Sequence, residues 1–232
     1  LKTSDLGHVR KTALPALSLR DQYGASKTHF MIGVVALVAL QSDRLMVGGL
    51  LTLEESGVYF RHVFVASFVY QVFNIGSYNR LAPRVYAHVV AGQPALARAA
   101  IWREMSWLVP STLVVLAATP FIDLSGLSRR FKGLSALSSI VPLYLAVLVF
   151  GYLVRTVADY NALLLNSIYR EREIFVSQVS SAGLALASNL VLTSTFGIAG
   201  TVATVVLGAS CYAGLSSLCL QRNRQLLQGI TQ

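Results

Sequence analysis

Charge is scarce in this chain. Asp, Glu, Lys and Arg make up 12% of its 232 residues, against roughly 25% in soluble globular domains, while 54% are hydrophobic and the mean hydropathy is +0.60. That balance excludes an ordinary soluble domain and makes lipid the expected solvent. Acid is scarcer still, with 10 Asp and Glu against 19 Lys and Arg. The resulting net charge of +9 could suggest nucleic acid, but the basic residues are spread along the chain and gather on no single soluble face, so no nucleic-acid partner is expected. Cysteine is limited to Cys211 and Cys219, which lie about 12 Å apart along one helix, too far for a disulfide, and both are expected to be free thiols. The chain has no glycine-rich phosphate loop, no metal-ligand cluster and no nucleophile with a plausible base. An enzyme, direct ATP drive and a bound cofactor are therefore not expected. No cleavable signal peptide is expected either, because the first apolar run follows a polar, basic stretch of 29 residues and is long enough to span a bilayer.

What the chain does have is a series of mostly apolar runs, each about 20 residues long, at 30–52, 57–79, 106–122, 139–165, 174–194 and 197–220. Barrel strands would alternate in shorter segments, so an all-α, polytopic membrane helix bundle is expected. Residues 1–29 read as a cytoplasmic N-terminal segment, 30–220 as a six-helix transmembrane lobe and 221–232 as a cytoplasmic tail. The distribution of basic residues sets the orientation. With the N-terminus inside, the inner segments hold 13 Lys and Arg and the outer loops hold three, Arg129, Arg130 and Lys132. Both termini are thus expected in the cytoplasm, with the bundle in the inner cell membrane. A chain that opens on Leu1, with a linker-like start carrying Pro15 and Gly24, is expected to be a fragment of something longer.

The turn from Thr52 to Gly57 is too tight for an outer domain and predicts an antiparallel hairpin of the first two spans, in contact with each other. After Asn79-Arg80 a semi-polar inner stretch runs from Ala82 to Glu104. Its second half reads as an interfacial helix with Trp102 and Trp107 at headgroup level. Pro110 and Pro120 should bend or end the third span, and the fourth begins near Pro142. Small residues in spans five and six (Ser181, Gly183, Ala187, Gly197, Gly200, Gly208) permit close helix approach, as in a scaffold.

Against this apolar background the intramembrane charges are the candidates for function. Asp43-Arg44 lies deep in the first run. Adjacent helical residues point about 100° apart, so the two cannot share one direction, and either a substrate contact or internal charge pairing would satisfy them. Arg155 and Asp159 have the i,i+4 spacing of mutual neutralisation, with a cavity role as the alternative. Arg61 sits one turn inside the second span, where it can snorkel to the headgroups. If it instead faces inward with Arg44 and Arg155, three guanidinium groups make a site for phosphate or pyrophosphate. His62 gains no role from the sequence. Asn74, Asn79, Asn161, Asn166 and Asn189 suit sugar hydroxyls or, equally, bonds between helices.

The run Ser42-Asp43-Arg44-Leu45-Met46-Val47-Gly48-Gly49-Leu50-Leu51, followed by Glu54-Glu55-Ser56-Gly57-Val58-Tyr59, resembles the aspartate, apolar, Gly, turn, Gly-x-Tyr hairpin of polysaccharide and lipid-linked oligosaccharide flippases. Leu81-Ala82-Pro83-Arg84 with Gly92-Gln93 and Arg98 is similar to the inner link after that hairpin. Asn189-Leu190 and Phe196-Gly197-Ile198-Ala199-Gly200-Thr201-Val202-Ala203-Thr204 resemble the end of a six-helix lobe. These flippases share a superfamily with the multidrug antiporters called MATE. The resemblance covers residues 15–220 and implies the second of two lobes around a central cavity, completed by another six-helix lobe or a homo-oligomeric partner. It implies transport of a polyprenyl-pyrophosphate-linked glycan by alternating access, alongside glycan polymerase machinery, with Asp43, Arg44, Arg61, Arg155 and Asp159 lining the cavity. The coupling ion, H+ or Na+, stays open. A cation-coupled drug antiporter lobe and a non-transporting scaffold or half-subunit are the alternatives.

Overall fold

The computed structural model describes residues 19–118 and 140–223. All regular structure in them is helical: α1 (Leu19–Leu50), α2 (Leu53–Val90), α3 (Pro94–Ala118), α4 (Pro142–Ser167), α5 (Glu171–Phe196) and α6 (Ile198–Arg222). The 30–50 part of α1 and the whole of α4, α5 and α6 are long and apolar enough to cross a membrane. The expected all-α membrane bundle is what the chain forms. The N-terminal segment before 19, Pro120, the loop with Arg129, Arg130 and Lys132, and the tail beyond 223 lie outside the described residues.

Local chemistry explains each joint. Thr52 caps α2 in a reciprocal box: its hydroxyl accepts from the Glu55 N–H at 3.3 Å and the Glu55 carboxylate accepts from the Thr52 N–H at 3.0 Å. The Thr52 backbone and hydroxyl hold that carboxylate below its usual range. Between α2 and α3, Gly92 takes φ +72° and Pro94 opens the next helix where no intrahelical donor is needed. Between α5 and α6 the link is Gly197 alone, at φ +60°. A Cβ on Gly200 would fall on the Leu192 carbonyl, so Gly197 is required by its φ and Gly200 by the approach of the α5 backbone.

Two expectations about boundaries change. The second run does not stop at Asn79: α2 continues unbroken through Pro83 for 38 residues, about 57 Å and nearly twice a bilayer's hydrocarbon thickness. Pro83 is exposed, so the carbonyl it leaves without a donor can be solvated. Likewise the interfacial helix and the third span are one helix, α3, which runs through an exposed Pro110.

The hairpin also packs differently than its tight turn suggests. α1 touches α2 only sparingly and lies along α5, while α4 is the central post against α2 and α6. The hairpin contacts cluster near the turn, where the Ser56 hydroxyl donates to the Val47 carbonyl at 3.2 Å. Small residues bring the later helices together as expected. Positions for a Cβ on Gly208 and Gly151 lie 3.0 Å from Ala185 and 3.3 Å from Val205. One apolar core joins Val47, Tyr59, Leu148 and Val202, and a second joins Val85, Ile101, Leu108 and Leu163. Large apolar side chains such as Phe64, Phe68, Leu190 and Val191 are left on lateral faces, as suits a bundle surrounded by acyl chains.

Candidate functional site

Asp43 and Arg155 come together. Their helices, α1 and α4, flank a polar cavity closed on the other side by α5 and α6, and both residues line it with Ser42, Ser181, Asn189 and Thr204. The volume is about 50 Å³. A water needs roughly 10–15 Å³ measured this way, so three or four waters or a bare ion fit, whereas organic ligands use sites of roughly 300 Å³ and more.

Asp43 is 8% exposed. Its Oδ2 accepts a hydrogen bond from the Tyr59 hydroxyl, and its Oδ1 is buried with no hydrogen-bond partner among the described residues. Positions 43 and 59 are equidistant from Leu51 at the turn, which is how an antiparallel hairpin brings them level. That symmetry is the sequence signal by which Tyr59 could have been chosen as a site residue.

Arg155 is held from three directions. Asp159 attracts it one turn along α4, Tyr70 of α2 lies within hydrogen-bond reach, and its Cζ sits 5.6 Å from the centre of the Tyr212 ring. Its Nε is buried with no hydrogen-bond partner among the described residues. The Tyr70 hydroxyl also donates to the Asp159 carboxylate at 2.6 Å, and the Tyr212 hydroxyl accepts from Gln178 Nε2 at 3.1 Å. Tyrosines therefore carry much of the site's polarity. Their rings look like core in a one-dimensional reading, and only the packing of α2, α4 and α6 reveals the hydroxyl contacts.

Asp159 is beside the cavity rather than in its wall, while Arg44 and Arg61 do not line it. Arg44 is half-buried on a different side of α1 from Asp43, as the 100° step requires. Arg61 bends back to its own helix, with Nε donating to the Gly57 carbonyl at 3.1 Å, toward the α1–α2 turn. Of the guanidinium trio of Arg44, Arg61 and Arg155, only Arg155 lines this cavity. Asn161 bonds across helices, its amide donating to Ser217 at 3.0 Å, and Asn189 accepts from Thr193. The Asn74 side chain lies outside what is described.

Two residues that sequence reasoning passed over hold the helices around this site. His62 is fully buried; its Nε2 accepts from the Val141 N–H at 2.7 Å and its Nδ1 faces the Val58 carbonyl at 2.7 Å, which sets the tautomer with Nδ1 protonated. It thereby caps α4 from α2. Glu104 of α3 accepts from Ser77 at 2.6 Å and pairs with Arg80, both on α2, while the Tyr160 hydroxyl of α4 donates to Ser77 at 2.6 Å. Burial pushes the Glu104 carboxyl up, but the Ser77 and Arg80 hydrogen bonds and the Arg80 charge outweigh it and hold it below its usual range. Compared with models of protein families, with curated proteins and with solved structures, the chain matches none.

Proposed function

We propose that this chain is one lobe of an alternating-access membrane transporter, and that its cargo is a polyprenyl-pyrophosphate-linked glycan moved from the inner to the outer leaflet. The observation that carries the proposal is the shared cavity: a carboxylate and a guanidinium 112 residues apart in sequence (43 and 155) line one small polar space inside an apolar bundle, and each keeps a buried atom with no hydrogen-bond partner among the described residues. Charge there is costly, and transporters place it where helices must repack. A glycan head group exceeds 50 Å³ many times over. It belongs between this lobe and a second one, while Asp43 and Arg155 control how α1 and α4 sit against α5 and α6. The basic residues at 80–103, 170–172 and 222 favour the cytoplasmic side of the inner membrane for that end of the bundle.

The size of the cavity favours one second reading, a cation-coupled drug antiporter lobe, because hydroxyl and amide oxygens around Asp43 suit water and small cations. The two separate in cells carrying Asp43→Asn or Arg155→Gln at normal protein level. A glycan carrier loses surface glycan and accumulates lipid-linked precursor, with drug tolerance unchanged. An antiporter shows the reverse, and normal export with normal tolerance would sink both.

A further inference from the structure

The fold brings the start of α3, the end of α4 and the end of α6 to one end of the bundle, and a second, larger cavity opens between them. Its volume is about 480 Å³, ten times that of the Asp43 cavity and within the range of small-molecule sites. The α3 wall is a single face, Arg98, Ile101, Trp102 and Met105, at i, i+3, i+4 and i+7. Arg98 is at the mouth, level with Gln221 near the end of α6. Met105 is about 10 Å deeper, near Val157 of the antiparallel α4. The mouth is thus cationic and the depth mostly apolar, its polar pair Asn161 and Ser217 being bonded to each other. No carboxylate lines the groove, and Arg98 is exposed with no acidic partner among the described residues. Trp102, 59% exposed, stands where an indole prefers the headgroup layer.

We propose that this groove binds one anionic phospholipid of the leaflet at the basic end, with its phosphate on Arg98 and an acyl chain laid along Ile101, Met105 and Val157. Charge complementarity and the polar-to-apolar gradient select such a lipid: a zwitterionic headgroup brings a cation to Arg98, and a soluble anion leaves the apolar depth unfilled. Basic pockets between helices on the cytoplasmic side of membranes recognise anionic headgroups in this way. The site is separate from the Asp43 cavity and does not depend on what the protein carries.

Trp102 supplies the readout. In the Trp107→Phe protein, reconstituted into phosphatidylcholine vesicles, a minor fraction of phosphatidylglycerol with brominated acyl chains should quench Trp102 as though enriched about fivefold at the groove over equally brominated phosphatidylcholine. Arg98→Gln should remove that preference while leaving quenching by brominated phosphatidylcholine unchanged, which also reports intact insertion. Arg103→Gln, on the same helix but outside the groove, should keep it. Equal quenching by both lipids in the Arg98 protein overturns the proposal, and so does an equal loss in Arg103→Gln. Soluble glycerol phosphate should leave the quenching as it was; relief by it would assign the site to a free phosphate and overturn the lipid.

Discussion

The bond between Asp43 and Tyr59 allows stability to be separated from transport. Both side chains are buried, Tyr59 completely, and the carboxylate has this one donor among the described side chains. Tyr59→Phe therefore leaves both carboxylate oxygens without a side-chain donor. Hydrogen bonds to charged groups contribute about 1.5–3 kcal/mol, so unfolding in detergent micelles, followed by circular dichroism, should show a loss of about 2 kcal/mol. Asp43→Ala leaves a buried hydroxyl without an acceptor and should cost about 1–3 kcal/mol. Replacing both partners by apolar groups of similar shape, Asp43→Leu with Tyr59→Phe, should recover most of either loss, because no polar group is left orphaned. On the proposed function that double variant should nevertheless fail to export glycan, since the cavity has lost its carboxylate. A Tyr59→Phe cost near 0.6 kcal/mol, the average for neutral bonds between transmembrane helices, would refute an ionised acceptor. Full export by the stable double variant would reduce Asp43 to a packing residue.

Three further perturbations test the frame around the site. Glu104 is held below its ordinary range, so its contribution is present above the unfolded value near 4.3 and fades as pH falls through the folded one. Glu104→Gln should cost about 1 kcal/mol at pH 7, discounted because Arg80 is half exposed, and should flatten the loss of stability between about pH 5 and pH 3 in denaturant titrations. His62→Phe keeps the bulk but strips both ring nitrogens from Val141 and Val58. It should lower stability by about 1–2 kcal/mol, and a neutral result in thermal unfolding would deny the cap on α4. Gly200→Ala forces a methyl group onto the Leu192 carbonyl and should cost about 2 kcal/mol or more, whereas Gly214→Ala, with open space around it, should change the unfolding midpoint little.

The parts of this molecule legible in the sequence are those that the bilayer dictates. Apolar length alone marked the all-α bundle and the spans of α1, α4, α5 and α6, because a helix in lipid must satisfy its own backbone and must be long enough to cross. Boundaries failed where the chain leaves the hydrocarbon. The second run reads as ending at Asn79 and Pro110 as a bend or end of the third, yet an exposed proline costs a helix little when its freed carbonyl can be solvated, and α2 and α3 run on through Pro83 and Pro110. Among charges, the i,i+4 rule anticipated the attraction between Arg155 and Asp159, and the 100° rule anticipated that Asp43 and Arg44 would part. What one dimension cannot encode is partner choice between helices. α1 packs along α5 rather than lying down against α2, and the hydroxyls of Tyr59, Tyr70 and Tyr212 turn three core-like rings into polar contacts.

The difference in size between the two cavities bears on how the proposed transport could work. The space at Asp43 and Arg155 holds a few waters, so it is suited to sensing a proton, an ion or a shift of α1, and any large cargo must act on it through the helices. Those helices are unevenly restrained. α4 is tied to α2 by His62 and Tyr70 and to α6 by Asn161, and α3 is tied to α2 by Glu104, whereas α1 relies on its turn, on Tyr59 and on its packing along α5. On the proposed reading α1 is thus the element able to move at least cost, and breaking its buried bond from Asp43 to Tyr59 is the local event that would release its length beyond the turn.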